Sequence, residues 1–157
     1  MITTVNKELT VVLNDLIEIN NDRVTGYEKA ANEIGSKDTD LQTTFHHMAM
    51  DSQKYAEQIR ARVRELGGEP TTNATTNSGK IYRVWMDVKG AFTGNDRKTV
   101  LENCEFGEDA AQKAYKMALD TDDAEWDADT RQLITSQKSS LKAAHDVIKS
   151  LRDSTNS

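Results

Sequence analysis

Carboxylate and histidine side chains recur in this chain at a spacing that metal chemistry could use. Helical bundles that hold two metal ions take one glutamate from each of two helices and a Glu-x-x-His pair from each of the other two. The chain has no Glu-x-x-His, but it places Glu18 33 residues before Asp51. Asp109 stands at the same distance before Lys142, and His145 follows three positions later. Lys54 follows Asp51 by three positions. Because an ammonium group binds a metal only after losing its proton, the two lysines make this pattern a degenerate one.

The helical phase of these residues is a second test of the pattern. Each residue of a helix turns about 100°, and a metal ligand must point into the bundle. Relative to the centre of the apolar stripe of its helix, Glu18 lies about 150° away and Asp109 about 130° away. We therefore expect both carboxylates to face solvent. Asp51 and His145 lie about 90° from the stripe centre, at its edge, so we interpret the shared spacing as a coincidence.

Four polar residues do fall on the inward faces of the predicted helices. They are Asn20, Ser52, Glu108 and Gln137. Glu108 is the unusual member, because it lies about 30° from the centre of an apolar stripe. A carboxylate in that position carries a large desolvation cost unless it is paired, hydrogen-bonded, protonated or bound to metal. The sequence therefore predicts a buried polar layer with one carboxylate.

Three interpretations of Glu108 stay open at this level. In the first, the inward amides and Tyr27 or Tyr115 hydrogen-bond the carboxylate within a polar layer. In the second, Glu108 binds a divalent cation, with Glu105 or His145 as further ligands and iron, manganese or zinc as the ion. In the third, Glu108 lies at the rim of the bundle.

Apolar residues recur every three or four positions in five segments, which is the spacing of amphipathic helices. The predicted helices cover residues 4–34, 38–66, 80–92, 96–119 and 128–152. Short loops make the first two and the last two of these helices antiparallel neighbours, and the short third helix lies in the long connection between the pairs. We predict one all-α domain over residues 1–157, a four-helix bundle of two antiparallel hairpins.

Composition and charge limit the functions open to the chain. A net charge of -6, with acidic and basic residues mixed along every segment, repels the phosphate backbone of nucleic acid. No stretch approaches the roughly 18 apolar residues of a membrane span, and residues 1–4 start no export signal. We therefore expect a cytoplasmic protein with no nucleic-acid and no membrane partner. The single cysteine, Cys104, is expected to be a small core residue.

Three stretches of the sequence carry a resemblance to a known family. They are LNDLIEINNDRVTGYE at 13–28, KIYRVWMDVKGAFTGNDRKTVLENCEFGEDAA at 80–111 and KAAHDVIKSLR at 142–152. Together they make the chain similar to a bacterial family of uncharacterised ferritin-like four-helix-bundle proteins, a domain of unknown function. The resemblance implies a ferritin-like fold. It implies no reaction, and no catalytic residue can be carried over from it.

Two hypotheses for the function follow. The first is a non-catalytic helical protein that acts by self-association, as a dimer or larger homo-oligomer, or by binding a partner. Trp85 and Phe92 of the 80–92 helix motivate it, because they add apolar surface beyond what a four-helix bundle covers. The ferritin-like resemblance adds a stress-related role. The second hypothesis is an enzyme, an iron- or manganese-dependent oxidase or peroxide-consuming protein with a degenerate di-iron or mononuclear site. The missing Glu-x-x-His favours the non-catalytic hypothesis.

Overall fold

The structure of the chain is a computed structural model. It describes residues 7–71, 81–82, 96–121 and 124–155, without the side chain of Lys37. Of the predicted helix 80–92, only Ile81 and Tyr82 belong to this part, and both have helical backbone. Trp85 and Phe92 lie outside the described residues.

Four long helices make up most of the described chain. They are α1 (Lys7–Ile34), α2 (Thr39–Glu65), α3 (Arg97–Leu119) and α4 (Ala128–Thr155). The tightest packing is of α1 against α2 and of α3 against α4, and the two pairs meet mainly along α1 and α3. The predicted all-α bundle of two hairpins is therefore confirmed. Within the described residues, none of the helices is apolar over a length that would cross a membrane.

Aspartate side chains cap three of the four helices at their N-termini. Asp38, Asp96 and Asp127 each accept a hydrogen bond from the backbone N–H three residues further on, at 3.1, 3.2 and 3.0 Å. Such bonds satisfy amides that the first helical turn leaves without a partner. At the other end of α2, Gly67 has a positive φ of 83°, and the N–H of Gly68 closes the helix end.

Ion pairs join the two hairpins at both ends of the bundle. Arg62 of α2 contacts Asp127 at 2.7 Å and donates to the Thr130 hydroxyl at 2.8 Å. At the opposite end, Arg97 of α3 pairs with Asp38. In both cases the aspartate is also a helix cap, so the same carboxylate stabilises a helix start and links two elements.

The apolar core consists of two clusters with polar residues between them. The first cluster includes Leu13, Leu16, Ile59, Tyr115 and Ile134, and the second includes Ile34, Phe45, Leu101 and Ile148. Along α1, α2 and α3, buried polar residues lie between the clusters. We call the buried residues Asn20, Arg23, Ser52, Glu108 and Gln137 the polar layer.

Candidate functional site

Glu108, the carboxylate that the sequence singles out, is buried and pairs with Arg23. The side chains are only 2% and 3% exposed. Arg23 donates from Nε at 2.9 Å and from Nη2 at 2.5 Å, and both bonds end on the same oxygen, Oε1. A charged pair of this kind compensates the desolvation that either group alone would suffer. The central feature of the polar layer is therefore an ion pair between α1 and α3.

Arg23 also links this ion pair to α2 and to an aromatic ring. Its Nη1 donates to the Ser52 hydroxyl, and its guanidinium carbon lies 5.3 Å from the centre of the Tyr27 ring. Burial lowers the pKa of Arg23, but the Glu108 carboxylate more than offsets this, and the pKa is raised overall. The bundle centre therefore contains a permanent positive charge.

A second network, of neutral groups, lies beside the ion pair. The Asn20 amide donates to the Tyr115 hydroxyl at 2.8 Å, and this hydroxyl donates to Gln137 at 2.8 Å. The Gln137 amide in turn donates to Gln58 at 3.0 Å. One chain of hydrogen bonds thus runs from α1 through α3 and α4 to α2, which fixes the register of all four helices.

One of the three interpretations of Glu108 gave it the amides of Asn20 and Gln137, with a tyrosine, as hydrogen-bond partners. Its amide part is wrong, because these amides bond elsewhere. Arg23 takes that role. A signal for it was present, because Arg23 lies three residues after Asn20 and four before Tyr27, on the same inward face of α1.

The other two predicted metal ligands lie apart from Glu108. Glu105 accepts a hydrogen bond from Arg152 at 2.8 Å. His145 lies 2.5 Å from Asp109, whose side chain is half exposed, and 3.1 Å from Asp146. Burial lowers the pKa of His145, but these two carboxylates raise it overall. Each predicted ligand is therefore engaged in its own ion pair, and the structure does not bring the three together.

The polar layer does not fit a resident metal ion. Its members on α2 and α4, Ser52 and Gln137, offer only a hydroxyl and an amide, and the charge of Glu108 is already balanced. Among residues 7–71, 81–82, 96–121 and 124–155, no three His, Cys, Asp or Glu side chains form a group that could hold a metal. Arginine has no lone pair to offer, since it stays protonated in proteins.

The expectation that Glu18 faces solvent is also wrong. Its side chain accepts a hydrogen bond from Thr71 at 3.2 Å, and the residue is only 4% exposed. On the same face of α1, Asp15 accepts from the backbone N–H of Tyr82 at 3.3 Å, and Asp22 accepts from the Tyr82 hydroxyl at 2.7 Å. Thr71 and Tyr82, which follow α2 in the chain, pack on this face of α1. The helical periodicity of α1 alone cannot predict contacts with residues outside the helix.

Cys104 lies partly buried on α3, one turn before Glu108. Burial raises the pKa of its thiol, and the negative charge of Glu108 raises it further. A thiol held in the protonated form is a poor nucleophile. The sulfur therefore acts in packing against the second apolar cluster.

Comparison with known proteins identifies the family and the fold. A family model described as "Domain of unknown function (DUF2383)" matches residues 8–121. The bacterioferritin of Desulfovibrio desulfuricans, which has a diiron site, superposes with a TM-score of 0.77 at 21% identity, over 94% of this chain and 80% of its own. A bacterioferritin-related protein of Bacteroides fragilis, a dodecameric thioferritin, superposes with a TM-score of 0.76 at 17% identity, over 98% of this chain and 89% of its own. The search of curated proteins found no significant match. The fold is ferritin-like, as the resemblance implied.

Replacing one member of the Arg23–Glu108 pair should destabilise the protein strongly. We expect Arg23→Met and Glu108→Leu each to lower the free energy of unfolding by about 3–5 kcal/mol, because each leaves one buried charge without its partner. The double variant should lose far less than the sum, since two apolar side chains need no compensation. Urea denaturation of the four proteins gives the coupling energy.

The exposed pair Lys142–Asp146 is the matched control for this cycle. Its side chains are 57% and 56% exposed at a separation of 2.8 Å. We expect a coupling energy there that is small beside that of the buried pair, because water and salt screen exposed charges. Strictly additive losses for Arg23 and Glu108 would contradict the assignment of the buried ion pair.

Proposed function

We propose that this chain, which belongs to the DUF2383 family, is a non-catalytic ferritin-like protein that acts by self-association. One observation carries the non-catalytic part of the proposal: the Arg23 guanidinium is bonded to the only carboxylate of the polar layer. A bundle that oxidises substrates with metal ions needs several inward carboxylates and imidazoles. In this chain an arginine supplies the positive charge instead.

The electrostatics of the polar layer support this proposal. A divalent ion bound about 5 Å from the guanidinium would be repelled by roughly 7 kcal/mol at an effective dielectric constant of about 20. To bind it, Glu108 would first have to give up two hydrogen bonds from Arg23. Ser52 and Gln137 carry no charge, so within the polar layer Glu108 alone would have to offset the repulsion.

The alternative is a metal-dependent oxidase or peroxide-consuming protein. In its favour, the D. desulfuricans bacterioferritin carries a diiron site on the same fold. It requires iron or manganese to displace Arg23 from Glu108 and to recruit ligands that now form other ion pairs, such as Glu105 and His145. The fold alone does not decide between the two functions.

Self-association is supported by the fold and by the sequence of the connection. The ferritin-like protein of B. fragilis is a dodecamer. Trp85 and Phe92 of this chain are large apolar residues in the connection between the hairpins, and we propose that they contact a second copy. A stress-related role remains an expectation from the ferritin-like resemblance.

Metal content separates the two functions. After anaerobic incubation with Fe²⁺ or Mn²⁺ and desalting, we expect the wild-type protein to retain far less than one ion per chain. The reason is that the Glu108 carboxylate is already paired with Arg23, whose charge repels a cation. Elemental analysis measures the ratio. Glu102→Gln is the control for surface binding, since Glu102 is an exposed carboxylate on α3. One or two ions per chain, retained in Glu102→Gln and lost in Glu108→Gln, would establish the metal-dependent alternative.

The molecular mass in solution tests self-association. Sedimentation equilibrium should give at least twice the chain mass of 17.6 kDa, and the double substitution Trp85→Ser and Phe92→Ser should shift the protein to lower mass. Phe106→Ser is the matched control, because Phe106 is 49% exposed on α3 and is not part of the connection. A monomer at every concentration would refute the proposed mode of action.

A further inference from the structure

His145 of α4 has a carboxylate oxygen next to each of its two ring nitrogens. Nε2 lies 2.5 Å from Oδ1 of Asp109 on α3, and Nδ1 lies 3.1 Å from Oδ1 of Asp146, the next residue of α4. The histidine side chain is only 15% exposed, while the two aspartate side chains are 52% and 56% exposed. The ring is therefore held between two carboxylates, and one of these contacts joins the two helices of the α3–α4 hairpin.

These two contacts determine how many protons the ring carries. An ionised carboxylate oxygen can only accept a hydrogen bond, so a ring nitrogen that bonds to it must carry a proton. A neutral imidazole has one N–H and one lone pair, and only the positively charged imidazolium has two N–H groups. The observed arrangement therefore fits the charged ring. In a neutral ring, one nitrogen would turn its lone pair toward a carboxylate oxygen.

The two aspartates differ in what else balances their charge. The Lys142 ammonium contacts both carboxylate oxygens of Asp146, at 2.8 and 3.0 Å. Among the described residues, His145 is the only cation within ion-pair distance of Asp109. Loss of the ring proton would therefore leave Asp146 paired and Asp109 without a cation. The contact that depends most on the proton is the one that crosses from α4 to α3.

His145 is the residue of this cluster that changes its charge near neutral pH. The other charged residues within one helical turn of the contact are Glu105, Glu108 and Lys113 on α3 and Lys149 on α4. Glu105 accepts a hydrogen bond from Arg152, and Glu108 is balanced by Arg23 of α1. The two lysines are exposed, so water and salt screen their charges.

The contact lies at the level of the polar layer. Asp109 directly follows Glu108 in α3, and the two carboxylates point to different neighbours. Glu108 bonds to Arg23 of α1, and Asp109 bonds to His145 of α4. One turn of α3 is thus held by charges on two sides. Only the side that faces α4 contains a group that releases a proton near neutral pH.

We infer that the ring proton of His145 acts as a pH-sensitive clasp between α3 and α4. Below neutral pH the charged ring ties α4 to α3 through Asp109, and above neutral pH the proton leaves to water and the tie weakens. The inference goes beyond the proposed function and depends neither on self-association nor on metal content.

The pH dependence of stability tests the clasp. Burial lowers the pKa of His145, but Asp146 and Asp109 raise it overall, above its ordinary value of about 6.5. A raised pKa in the folded state stabilises the protein fully below about pH 6.5, and this stabilisation is lost as the pH rises through the folded value. In urea denaturation with EDTA, the higher midpoint of the wild type over His145→Gln should therefore be largest at about pH 5.5 and shrink toward pH 8.5.

His47→Gln is the control for this measurement, because His47 is an exposed histidine on α2. It should keep the advantage over His145→Gln and its decrease with pH. A difference between wild type and His145→Gln that is the same at every pH, or that grows as the pH rises, would overturn the inference.

An NMR titration of the His145 ring in the full chain follows the proton directly. Asp109→Asn keeps the size of the side chain and removes its charge, so it should lower the pKa of His145. Glu102→Gln removes an exposed carboxylate two turns away on α3 and should leave the titration in place. The same His145 titration in Asp109→Asn as in the wild type would refute the clasp, and this variant decides the matter if His145→Gln fails to fold.

Discussion

A carboxylate buried inside a helical bundle needs a partner that compensates its desolvation, and the organisation of this protein depends on how Glu108 meets that requirement. Glu108 is nearly inaccessible to solvent, and its partner is the equally buried Arg23. The two belong to helices of different hairpins, so the pair acts between the halves of the bundle as well as neutralising a charge. Removing either charge alone leaves the other in a medium that solvates it poorly.

The polar layer also determines how the helices are aligned. Apolar clusters above and below it tolerate sliding of one helix along another, because hydrophobic contact has little directional preference. The 2.8 Å hydrogen bonds from Asn20 to Tyr115 and from Tyr115 to Gln137 would break if a helix slid. Together with the ion pair they permit one register. At both ends of the bundle, the capping aspartates Asp38 and Asp127 add ion pairs in the same alignment.

Helical periodicity was sufficient to predict the four long helices and four of the buried polar residues, but it missed Asp15 and Arg23. Asn20, Ser52, Glu108 and Gln137 are all buried, because the phase of a residue within its own helix decides the side it faces. The partner of Glu108 was not predicted. Pairing depends on the register between α1 and α3, and periodicity treats each helix separately. Glu18 was misplaced for a related reason, since the chain that covers it comes from beyond the end of α2.

The ferritin-like fold is compatible with several uses of its interior, and here an arginine is bonded to the one carboxylate of the polar layer. The most direct measurement is an anomalous difference map, at the iron edge, from crystals soaked in Fe²⁺ without oxygen. The account predicts Glu108 bonded to the Arg23 guanidinium, with no anomalous peak within about 2.2 Å of its oxygens. A peak at that distance, with Arg23 displaced from Glu108, would contradict it.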